Sequence, residues 1–387
     1  MAAAVTGFGF ILLGCGLVAA PHAQYGSTPT FGIPASATDH RSAAPPAPAA
    51  PPYLHALHMV TTEVGWAVGA QHILRTTNGG RSWTNVTPSG AGFADLARGD
   101  IHLQAMGVQH AWVVAMFPQS SGPVVGRVYR TNDGGGRWQS TTVPGDFRAQ
   151  LDFLSDSSGY LMLMGQSSMM SEAFTLLRTQ NGGATWTQVS VQAMSSHCAA
   201  CLGGKTGVAF ANASDGYITG DTAASKLLLY SSGDGGATWA SAHLSVPSTD
   251  PNAAVDGNAT TLPPIFFGTQ DGVLPVSIFS PTKPLLDFYD TTNGGRTWTP
   301  TVVVPGTLWS FSDALHGVVL DGTDLERTVD GGKAWSSVSP NVNLRNASDM
   351  DFLTPELGWI VDGGQILATT DGGHTWSDLT TVDGPEG

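Results

Sequence analysis

Positive charge is scarce in this chain: 16 Lys and Arg stand against 30 Asp and Glu over 387 residues, a formal net charge of −14. The few basic side chains form no dense cluster, so a nucleic-acid backbone or an anionic membrane surface would be repelled, and no nucleic-acid partner is expected. Charged residues of both signs amount to only 12%. Long surface helices draw on such residues, and their shortage beside 49 Gly and 24 Pro suits many short strands and turns instead. What the chain does have is apolar material, 41% of its residues with 11 Trp among them, enough to bury a core.

Cysteine is rare as well: Cys15, Cys198 and Cys201 are all there is. Cys15 lies in VTGFGFILLGCGLVAA, residues 5 to 20, an uncharged run too short for a bilayer span and of the length of an export-signal core. The usual basic stretch before such a core is missing. Two readings fit: a signal cleaved after Ala20 or Ala23, or a lipoprotein signal in which Leu12-Leu13-Gly14-Cys15 makes Cys15 the lipidated first residue of the mature chain. Either gives an extracytoplasmic protein, secreted, periplasmic or anchored on the outer side of the membrane. In such a compartment Cys198 and Cys201 of SHCAAC form a candidate loop disulfide. A redox-active pair would want a strand-to-helix context that is not there. Haem attachment would need His at position 202, which is Leu. Met169, Met170, Met194 and His197 are soft ligands of the kind copper prefers, but nothing in the sequence brings them together; no metal and no cofactor is expected.

Residues 24 to 52, rich in Ala, Pro and Ser, read as a spacer. From Tyr53 onward one octamer recurs seven times: TTNGGRSW, TNDGGGRW, TQNGGATW, SGDGGATW, TTNGGRTW, TVDGGKAW and TTDGGHTW. Its fixed positions are a Ser or Thr, an Asp or Asn, two Gly and a Trp. The pairs are Asn78 with Trp83, Asp133 with Trp138, Asn181 with Trp186, Asp234 with Trp239, Asn293 with Trp298, Asp330 with Trp335, and Asp371 with Trp376. Asp or Asn accepts bonds from nearby backbone N–H groups, paired Gly supply positive φ, and Trp covers the turn with apolar area. This is an Asp-box turn between two strands, and its acids are structural rather than catalytic.

Ahead of each box a Gly or Ala followed by an aromatic or Val opens a second strand, as in GWAVG from 65, AWVVAM from 111, GYLML from 159, GYITG from 216 and GWIVDG from 358. A further apolar strand precedes each. Four short strands per repeat predict an all-β chain, a seven-bladed β-propeller with Asp-box turns between the third and fourth strands. The expected organisation is a signal at 1–23, the spacer at 24–52 and the propeller at 53–382. Its blades would span about 53–90, 98–144, 149–192, 204–246, 261–304, 306–340 and 344–382.

These boxes, with GW-type strands ahead of them, resemble the Ycf48/Hcf136 family of photosystem II assembly factors and its bacterial relatives, over about residues 53 to 382. The resemblance implies a propeller on the outer side of a membrane that binds rather than catalyses, assembling photosystem II where the host is photosynthetic. The family is also associated with an arginine-rich surface. The nearest features here are Arg75, Arg130, Arg178 and Arg327, each three positions before its box Asp or Asn; the other repeats carry Ser231, Asp290 and Ala368 there, so the array is incomplete. Asp boxes also occur in sialidases and other glycoside hydrolases. That alternative, a glycan-binding module or hydrolase, lacks a recognisable arginine triad here, and Phe31-Gly32-Ile33-Pro34 lacks the arginine of the sialidase element.

Loop length points to a binding face. From the second-strand marker to the box Trp the interval is 17 residues in three repeats (Trp66 to Trp83, Val318 to Trp335, Trp359 to Trp376) but 22 to 26 in the other four. Functional groups collect on loops held by a rigid scaffold. Phe117, Met169, Met170, Phe174 and His197 are candidate contacts on that face, beside the four arginines. The expected role is a non-catalytic binding or assembly scaffold, monomeric alone, whose partner is a membrane protein or envelope complex.

Overall fold

The computed structural model describes residues 38–41, 54–69, 72–89, 101–117, 124–168, 171–193, 200–223, 226–246 and 259–379. Among them there is no helix; every regular element is a strand, and the strands pair antiparallel. The first repeat shows the pattern: Leu54–Met59, Gly65–Gly69, Ile73–Thr76 and Thr84–Asn85 pair in chain order as a meander. Repeats three, six and seven form similar four-stranded sheets, starting at Arg148–Phe153, Leu308–Phe311 and Ala347–Phe352. Repeat two, from Ile101–Met106 to Arg137–Pro144, gains a fifth strand. That strand is Thr38–Arg41, from the segment read as a spacer, laid antiparallel on Arg137 to Ser140. Repeats four and five are fused into one ten-stranded sheet, because Ala259–Thr261 pairs with both Gly216–Ala223 and Gly272–Ile278.

Hydrophobic alternation puts apolar side chains on both faces of each sheet, and the faces of neighbouring repeats bury one another. Trp66 and Ile73 of repeat one pack with Leu103, Tyr129 and Trp138 of repeat two. Corresponding clusters join each repeat to the next. The last joins Trp359, Val361 and Ile366 of repeat seven to Leu54, Leu57 and Leu74 of repeat one, so the chain closes on itself. Closure leaves no long sheet face bare between its ends.

The octamers make one turn seven times over. In each, the Ser or Thr hydroxyl donates to the Asp or Asn Oδ1 and accepts the N–H of the second Gly, as Thr131 does with Asp133 at 2.9 Å and Gly135 at 2.9 Å. The same Oδ1 accepts the N–H four residues on, from Arg137 in that copy. Both glycines require positive φ, 73° and 88° at Gly134 and Gly135, a region closed to most residues with a Cβ. The N–H of the first Gly then donates to the loop between the first and second strands, Gly134 to the Gln109 carbonyl at 3.0 Å. At Asp234, Asp330 and Asp371 these bonds favour the ionised carboxylate. The Thr375 hydroxyl and N–H, with the Thr369 hydroxyl, pull Asp371 down to about 2.

Candidate functional site

The aromatic residues that open the second strands act across the seams between repeats. Trp112 Nε1 donates to the Gly182 carbonyl in the next box at 2.9 Å, Tyr217 Oη to that of Gly294 at 2.6 Å, and Trp359 Nε1 to that of Gly79 at 3.0 Å. These three interior polar tips thereby find partners, whereas the buried Trp66 Nε1 has none among the described residues. The first strands are cross-linked in a second way. Gln104 accepts the Phe153 N–H at 2.7 Å, Asp152 that of Phe210 at 2.7 Å, Asp349 that of Leu57 at 2.6 Å, and Asp351 that of Met59 at 2.6 Å. The buried carboxyls of Asp152, Asp349 and Asp351 thus join adjacent first strands. Burial pushes Asp152 and Asp349 up to about 7, and it pushes His102 down to about 4.

The four arginines singled out by the sequence do not gather into one patch. Each is half-buried and reaches from its own repeat into the next. Arg75 stacks over the Trp66 ring at 5.6 Å and donates to the Val108 carbonyl at 2.9 Å. Arg130 donates to the Asn181 carbonyl at 3.0 Å and to Gln139 at 2.7 Å. Arg178 lies over Tyr160 at 5.6 Å, and Arg327 donates to the Pro355 carbonyl at 2.8 Å. A methyl group added at Gly134, Gly182, Gly235 or Gly372, the first Gly of the next box, would meet the guanidinium of the corresponding arginine. They are seam staples, each joined to the neighbouring repeat. An Arg130→Ala variant should lose about 1 kcal/mol, and Arg130→Lys should not restore it fully, because an ammonium lacks the fork that spans both acceptors. Urea unfolding of the two variants measures this.

Phe174, a candidate contact in the sequence, is corrected: it is 1% exposed and meets Trp239 edge-on inside the seam between repeats three and four. Its place in an alternating strand, Ser171–Thr179, turns it inward. Phe117 is half-buried against the core of repeats one and two. Cys201 is disulfide-bonded, and its carbonyl accepts the Glu172 N–H at 2.8 Å. Cys15, Met169, Met170, His197 and Cys198 lie outside the described residues.

What the sequence did not reveal is a cleft of about 650 Å³ between repeats four and five. Asp215, Tyr217, Ser231 and His243 border it from repeat four, and Arg296 and Trp298 from the box of repeat five. Arg296 pairs with Asp215 at 3.2 Å; its side chain is 64% exposed, that of Asp215 only 18%. The available signal was Ser231, standing where other repeats have arginine.

No protein-family model and no curated protein matches the chain. Solved structures do. One described as Ycf48 bound to a D1 peptide is 15% identical, with a TM-score of 0.51, over 92% of this chain and 100% of that one. Ycf48 from Cyanidioschyzon merolae is 14% identical, with a TM-score of 0.42, over 90% of each. An ulvan lyase of polysaccharide lyase family PL25, bound to a sugar, is 12% identical, with a TM-score of 0.47, over 88% of this chain and 96% of that one. The first likeness, with the closed circuit of antiparallel sheets, defines the class: this chain has a β-propeller fold.

Proposed function

We propose that the chain is a seven-bladed propeller with Asp-box turns that acts extracytoplasmically as a non-catalytic scaffold, docking a segment of a membrane protein or envelope complex. One observation carries this reading. The interior carboxyls of Asp152, Asp349 and Asp351 and the seam guanidinium groups of Arg130 and Arg327, groups a hydrolase would need free in a common pocket, are committed to backbone groups of the neighbouring repeat. A fold shared with a protein whose structure holds a D1 peptide supports peptide docking. In a photosynthetic host the partner would be a photosystem II component.

Cross-linking in native cells, followed by affinity capture and mass spectrometry, tests the proposal. Recovery of one membrane or envelope complex, reproduced with purified components, is the expected result. Failure to bind any such complex, together with binding or cleavage of an oligosaccharide, would replace it with a glycan-directed role.

A further inference from the structure

The outermost strand of a sheet leaves a row of backbone groups open to another chain, and very short or proline-bearing edges are a common protection. The fourth strands of repeats one, four and seven have two residues each, and that of repeat six has three. In repeat five the fourth strand stops at Pro300. Repeat two departs from this, because its fourth strand, Arg137–Pro144, has eight residues. Among the described residues it is also the one such edge that carries a strand from outside the repeats, Thr38–Arg41, with Thr38 opposite Ser140 and Arg41 opposite Arg137.

We propose that the outer edge of repeat two docks an extended acidic segment of a partner polypeptide by strand addition, and that Thr38–Arg41 is a strap the partner displaces. The fold does not require the strap. Repeats three, six and seven stand as four-stranded sheets, and repeat two has its own four strands without Thr38–Arg41. The strap has four residues against eight in the edge strand, and no described strand pairs with Thr141 to Pro144 on their outer side. A longer extended segment would gain ladder bonds along the whole edge, so it has the advantage over the strap.

The charge of the edge selects the partner. Val125–Thr131 and Arg137–Pro144 carry Arg127, Arg130 and Arg137 and no Asp or Glu, in a chain where 30 acidic residues face 16 basic ones. Arg137 is exposed, and Arg127 and Arg130 are half-buried. The position opposite Arg137 belongs to Arg41. An acidic residue in that position would set opposite charges across the strand pair. The net charge of −14 does not cancel this local preference, because exposed charges are screened beyond about 8 Å at physiological salt. Repeat three provides an internal control: its fourth strand, Thr187–Gln192, is six residues long and uncharged. The proposal rests on the binding reading only for the existence of a partner.

The probe is a fluorescently labelled extended peptide, TEVEVEVT, titrated into the purified full-length chain by anisotropy, with TKVKVKVT alongside. An Asp39→Pro, His40→Pro double variant removes a ladder donor from the strap whichever of the two amides points to the edge. It should bind the acidic peptide roughly tenfold more tightly than the unmodified chain does, and Arg137→Glu should reverse that gain. Binding should slow amide hydrogen exchange in Arg137–Pro144. Absence of binding by the double variant overturns the proposal, as does equal affinity for the lysine peptide or protection that falls on Thr187–Gln192 instead. Should the double variant not fold, exchange in the unmodified chain decides: the amides of Thr38–Arg41 should exchange at least about tenfold faster than those of Val125–Thr131, and equal protection would overturn the strap. Failure of the peptide with capture of a membrane complex intact would sink this edge and leave the scaffold reading standing; peptide binding without any captured complex would do the reverse.

Discussion

A Trp138→Ala variant is expected to lose about 3–5 kcal/mol of stability, a large part of what a domain normally possesses. Trp138 is fully buried, its Nε1 donates to the Val86 carbonyl of the preceding repeat at 2.6 Å, and it meets Trp66 edge-on at 6.2 Å. Truncation removes one of the two tryptophans of that seam, opens a cavity and leaves the carbonyl without its donor. Trp83 occupies the same place in its own box but is only half-buried. Trp83→Ala should therefore cost less, about 1–2 kcal/mol. Urea unfolding curves of both variants, compared at equal slope, check the order. Equal losses would show that the turn, rather than the seam, sets the contribution of these tryptophans.

Stability should rise as the pH falls from 7 toward 5, opposite to ordinary acid denaturation. Burial pushes Asp152, Asp287 and Asp349 up to about 7 in the folded chain, from an ordinary value of 3.8. Each keeps a proton between those values that the unfolded chain has released. Its contribution is fully present below 3.8 and lost as the pH rises through 7, on the order of 4 kcal/mol for one such carboxyl. His102 opposes the trend: its contribution is present above 6.5 and lost as the pH falls through about 4. Three carboxyls against one imidazole leave the net slope negative in that window. Below pH 4 the sign reverses, because Asp371, held down to about 2 by its turn, loses its contribution as it takes up a proton. Melting temperatures from pH 4 to 8 should show a mildly acidic maximum. Asp349→Asn, which keeps an oxygen acceptor for the Leu57 N–H, should flatten the slope; an unchanged slope would remove Asp349 from this account.

The box turn was legible because its side-chain bonds lie within seven consecutive residues, from the Thr or Ser hydroxyl to the N–H four positions past the Asp or Asn. The second-strand aromatics were legible as a pattern but not as a function, since the acceptor of Trp359 lies 280 residues away in the box of repeat one. For the same reason the stapling role of Arg130 was not legible: its carbonyl partner belongs to another repeat. Phe174 was misplaced because loop length located it, whereas the phase of its strand turns it into the seam.

The sequence by itself determined the all-β character, the positions of the turns and the absence of a basic surface, all of which follow from local hydrogen bonding and composition. Only the tertiary structure decided which faces meet, which carboxyls lose water, and where a cleft opens between repeats. Those depend on side chains brought together from distant repeats. Asp215, Ser231 and Arg296 come to line one cleft only when repeats four and five pack together.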